Sequence, residues 1–180
     1  MRVESQIEIR PGAVVLNGRP IEVSETGDKM LVELYRKFVG EYPKFFKMDT
    51  LSRLGFIAAE ILIQDYRIQN TEYRPSAVIL ANRSASIKND RDYLATISDG
   101  NYYPSPSLFV YTLPNIVTGE IAIRHQIQVE TSFYILDNPA QLDDIIRSTF
   151  NIQHSTLLAG WTECSAPNEY YAKLQIIWNN

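Results

Sequence analysis

The sequence predicts an α/β domain with an N-terminal β-hairpin, and three observations carry that expectation. Four short runs, Ala77 to Ala81, Thr131 to Leu136, Thr156 to Trp161 and Tyr170 to Trp178, have the length and the branched or aromatic content of strands. Segments with helical apolar spacing lie between them, and such alternation places helices on the faces of a sheet. The stretch from Pro114 to Pro139, PNIVTGEIAIRHQIQVETSFYILDNP, contains a helix, a connector, a strand and a sharp turn into a further helix.

Taken in order, Ile7 to Val23 is strand material around an Asn17-Gly18 hairpin turn, with Pro20 marking an edge strand. This hairpin, within residues 1–25, is expected to be a peripheral addition to a single domain that spans residues 1–180. Asp28 to Val39 forms a helix with Met30, Leu31, Leu34, Tyr35 and Phe38 on one face and Gly40 as its stop. Tyr42, Phe45 and Phe46 follow as a small aromatic cluster. Thr50 to Ile63 is the second helix, with Leu51, Leu54, Ala58, Ile61 and Leu62 as its stripe.

Ala77 to Ala81 suits a buried parallel strand. The polar loop Asn82 to Ile87 lies at its carboxyl end, where ligands favour open α/β sheets. Ser84 and Ser86 in that loop are better explained by turn-making and capping than by chemistry. Asp90 to Ile97 is a short helix. Tyr102 to Pro106 leads into Leu108 to Leu113, and Pro114 bars continuation of any helix that enters it. Ile116, Ile121 and Ile123 give the next helix a rough apolar face, and His125 stands at its carboxyl end, where the helix dipole favours it. Asn138 caps the following helix, with Pro139 at the first helical position. Asp143 and Asp144 on that helix point in different directions and belong to a solvated face.

Composition restricts the function classes. The chain has 180 residues, a net charge of −4, a pI near 5.2 and an ordinary 45% hydrophobic content. An acidic chain without a basic face is not expected to bind nucleic acid. No apolar run is long enough to span a bilayer and no signal peptide is evident, so no membrane association is expected and the location is expected to be cytoplasmic. The single cysteine, Cys164, permits no internal disulfide and is expected to be a buried structural thiol. No metal-ligand spacing, phosphate-binding loop or Ser-His-Asp arrangement is present, and no cofactor or metal is expected.

The P-N-x-x-x-G-x-I-x-I-R pattern from Pro114, followed by strand and turn, resembles the N-terminal half of β-ketoacyl-acyl-carrier-protein synthases, which have the thiolase fold. Three other segments agree in order: KMDTLSRLGFIAAEILI from Lys47, AVILANRSAS from Ala77, and LLAGWTECS from Leu157. In the last, Ala159, Gly160 and Glu163 match the family's alanine-glycine-glycine-x-glutamate segment and Trp161 replaces a glycine. The resemblance covers roughly residues 47 to 165. It implies a thiolase-like half-domain: a mixed five-stranded sheet flanked by helices, with the hairpin added.

In the resembling family the strand-to-helix turn carries the cysteine nucleophile, and that position falls on Asn138. The activating histidines belong to a second half that this chain is expected to lack. His125 and His154 have no matching context. No catalytic residue is therefore assigned. The resemblance implies dimerisation through the strand from Thr131 to Leu136, and Pro114, Asn115, Gly119, Arg124, Thr131, Phe133 and Ile135 are expected at an interface. A lone half is also expected to leave the Leu51 to Leu62 stripe partly uncovered.

Three functions compete. The first is a non-catalytic, chain-length-factor-like partner of a synthase in fatty-acid, polyketide or polyene biosynthesis, as a homodimer or as a heteromer with a ketosynthase, acyl carrier protein being a possible partner. The second is an acyl- or pantetheine-binding protein, which requires a deep apolar pocket near Asn138. The third is an acyl-transfer enzyme with Ser84 or Ser86 as an unfamiliar nucleophile.

Overall fold

Seven strands form one mixed sheet in the order β3-β2-β1-β7-β6-β4-β5. The computed structural model describes residues 1–69, 75–100, 103–150 and 156–178. Its strands are β1 (Arg2–Arg10), β2 (Ala13–Leu16), β3 (Arg19–Ile21), β4 (Ala77–Asn82), β5 (Glu130–Ile135), β6 (Thr156–Ala166) and β7 (Glu169–Trp178). Its helices are α1 (Gly27–Phe38), α2 (Thr50–Gln69), α3 (Ile87–Leu94), α4 (Pro106–Val110), α5 (Ile116–His125) and α6 (Pro139–Phe150). A 3-10 turn, Pro43–Lys47, links α1 to α2.

Strand β4 explains the parallel part. Every residue of AVILAN is buried, because helices cover both faces, and it pairs in parallel with β5 on one side and β6 on the other. Strands β6 and β7 form a long antiparallel ribbon, and β7 then pairs antiparallel with β1. The expected five-stranded sheet with a separate hairpin is corrected to one sheet of seven strands, in which β1, β2 and β3 of the N-terminal segment join β4 to β7. Asn17 and Gly18 take φ of 51° and 78°, the left-handed pair that a tight hairpin needs. Strand β3, with Pro20, lies at the edge.

The expectation that this N-terminal segment is peripheral is corrected. Ile7 and Ile9 are fully buried, and β1 pairs with β7 from Arg2 to Ile9. The charged residues between the apolar ones, Glu4, Glu8 and Arg10, mark only the outer face of an integral strand.

The two faces of the sheet are covered differently. On one face, α1, α2 and α5 pack over Ile7, Ile9, Val78, Leu80, Leu158, Leu174 and Ile176. The other carries α6, whose Leu142, Ile146 and Phe150 cover Ala77, Ile79, Leu157, Ala159 and Trp161. The outward positions of α6, among them Gln141, Asp143, Asp144, Arg147 and Ser148, are polar and exposed.

A second correction follows. The α2 stripe expected to be uncovered is at most 4% exposed at Leu51, Leu54, Ala58, Ile61 and Leu62. Strands β1 and β7 lie beneath it, with α1 and α5 beside it, so no second lobe is needed to bury it. The aromatic cluster forms as expected: Phe45 stacks on Tyr35 at 4.4 Å and Tyr42 on Phe56 at 4.9 Å. No helix among the described residues is long and apolar enough to cross a membrane.

Candidate functional site

The turn from β5 into α6 is built from local hydrogen bonds. Leu136 N donates to Asn82 O at 2.8 Å, which continues the parallel pairing of β5 with β4 past the strand end. Asn138 Oδ1 then accepts from Ala140 N at 3.1 Å. Gln141 reaches back, and its Oε1 accepts from Asp137 N at 2.8 Å and from Asn138 N at 3.3 Å. This reciprocal arrangement is a capping box, with Asn138 at the cap and Gln141 three residues on. At this turn a cysteine thiol would be lowered in pKa by the helix N-terminus. Here two amide side chains satisfy the same backbone donors and neither is a nucleophile. The sequence names Asn138 as the cap and Pro139 as the first helical residue; the part played by Gln141 shows only in the structure.

The neighbouring loop after β4 is held by a second set of bonds. Asn82, fully buried, accepts from Ala85 N and donates to Ala85 O, both at 2.8 Å. That clamp holds Ala85 at φ 51°, a left-handed conformation that costs a non-glycine residue about 1 kcal/mol. Ser84 Oγ donates to one oxygen of Glu163, whose other oxygen accepts from Arg83 N at 2.9 Å. Ser86 Oγ is shared between Thr112 O and Asp90 Oδ1. Both serines therefore tie the loop to β6 and to the segment before α5. Among the described residues neither is arranged against a histidine: His125 lies against Glu60, and His154 falls outside the described residues. Glu163, singled out by the resemblance, serves as the anchor of this loop.

Cys164 is 1% exposed on β6. Burial, with Asp49 adding to it, pushes its thiol up to about 12, so it is not a thiolate at neutral pH.

The expected interface residues fall into two groups. Asn115 stands at the N-cap position of α5 without a side-chain cap bond, and Pro114 before it and Gly119 within the helix are half-buried. Gly119 has open space where a side chain would stand. On β5, Phe133 packs partly against the core, while Thr131 is exposed and Ile135 is 60% exposed. Among the described residues, β5 pairs only with β4, which leaves its other edge free. Arg124 does not join them; it turns toward Glu60.

That last contact belongs to a network the sequence did not reveal. Glu60, 2% exposed in the middle of α2, has its Oε1 2.8 Å from His125 Nε2 and 3.1 Å from Arg124 Nε. Burial works to raise the Glu60 carboxyl, but its hydrogen bond with His125 and its interactions with Arg124 outweigh it and hold it below the ordinary glutamate value. The Arg124 guanidinium also sits over the Tyr42 ring at 5.4 Å, and Tyr42 OH donates to Glu120 Oε2 at 3.1 Å. Lys44 Nζ closes the chain 2.6 Å from Glu120 Oε1. The network locks α2, α5 and the 3-10 turn together. Its one sequence signal is a lone glutamate within the apolar run FIAAEILI.

No family model and no curated protein matches the sequence. Among solved structures, a chain of the complex described as "Ketosynthase (ApeO) in Complex with its Chain Length Factor (ApeC) from Xenorhabdus doucetiae" is similar. Its TM-score is 0.68 at 12% identity, over 99% of this chain and 79% of that chain. At that identity the likeness is one of fold. The order of strands, the helices on both faces and the strand–turn–helix at Asn138 belong together: the chain has a ketosynthase-like fold of the thiolase type.

Proposed function

We propose that this protein is a non-catalytic, chain-length-factor-like accessory subunit that partners a ketosynthase in fatty-acid, polyketide or polyene-type biosynthesis. The observation that carries the proposal is the capping box at the β5–α6 turn. A ketosynthase-like fold is kept, while Asn138 and Gln141 close the helix start where the resembling synthases carry their nucleophile. Removing a covalent nucleophile costs orders of magnitude in rate. The fold shared with a chain of a ketosynthase–chain length factor complex supports the heteromeric reading over a homodimer. Acyl carrier protein is the further partner this reading assigns to such an assembly.

The acyl- or pantetheine-binding alternative gains less. An open groove of about 620 Å3 runs along α1, lined by Val32 together with Lys29, Glu33, Arg36 and Lys37, and Asn138 is not part of it. The acyl-transfer alternative requires Ser84 or Ser86, whose hydroxyls are already engaged with acceptors.

Intact-mass measurement after incubation with acetyl and malonyl thioesters tests the non-catalytic character. The purified chain is expected to show no covalent acyl adduct and to release no decarboxylation product. A mass gain localised to Ser84 or Ser86 would overturn the proposal in favour of acyl transfer.

A further inference from the structure

We draw no further inference here: the strongest candidate, the outer edge of β5, which among the described residues is unpaired and carries Ile135 exposed at its end, is an open strand edge and nothing in the structure shows what covers it.

Discussion

Gly160→Ala is expected to destabilise the protein by about 3 kcal/mol or more, the upper end of overpacking costs. Gly160 sits in the middle of β6, between β4 and β7, opposite Leu174. A Cβ there would strike the Lys173 carbonyl oxygen, with the Leu174 Cα only 2.7 Å away. Both are backbone atoms of a paired strand, so no rotamer change relieves the clash. Either the β6–β7 ribbon opens or the residue does not fit. Gly119→Ala is the internal control. It has open space around the position and lies within α5, where alanine is favoured by up to about 1 kcal/mol. Urea denaturation of both variants measures the difference. A Gly160→Ala midpoint within experimental error of the wild type would show that β6 and β7 are not in this register.

Glu60→Gln is expected to lower stability by about 1.5 kcal/mol at pH 7, because it removes a buried anion that is hydrogen-bonded to Arg124 and His125. Glutamine keeps the shape but leaves Arg124 without its countercharge beside His125. The pH dependence has a definite sign. The Glu60 pKa is lowered in the folded state from its ordinary 4.5. Its contribution is therefore fully present above pH 4.5 and is lost as pH falls through the folded-state value. The gap between wild type and Glu60→Gln should accordingly narrow on acidification below pH 4.5. Paired urea titrations from pH 7 downward read this directly. A gap that stays constant through that range would mean that Glu60 is not the ionised partner of the pair.

The parts of this fold that could be read from the sequence are those set by local composition. Strands β4 and β5 declare themselves as short apolar runs, and Asn17-Gly18 and Asn138-Pro139 declare the turns. The full length of β1 was hidden because every second residue faces outward and is polar. Only the pairing with β7, more than 160 positions away, makes it integral. The end of β6 was hidden because Glu163 and Ser165, on its outward side, are not typical strand residues although they continue the ribbon. Helix α4 escaped notice because nothing in five residues of PSLFV distinguishes it from a strand run, and its lack of burial is a property of the fold alone.

The candidate site divides along the same line. Asn138 could be located by counting from Pro114. Its partnership with Gln141, the engagement of Ser84 with Glu163, and the triangle of Glu60, Arg124 and His125 depend on geometry that sequence spacing does not carry. The covered α2 stripe is the most instructive difference. Its burial depends on β1 and β7 lying beneath it, and β1 was the strand whose extent was misjudged. A chain with that stripe closed and a polar α6 outside does not require a second lobe in the same polypeptide. What it leaves open, among the described residues, is the outer edge of β5.

The central claim, that this chain works as the partner of a ketosynthase, is tested most directly by native mass spectrometry of the tagged protein purified gently from its own cells. The expected result is a discrete complex containing this chain and a β-ketoacyl synthase in equal numbers. Recovery of the chain only as a monomer, or only with further copies of itself, would contradict the claim.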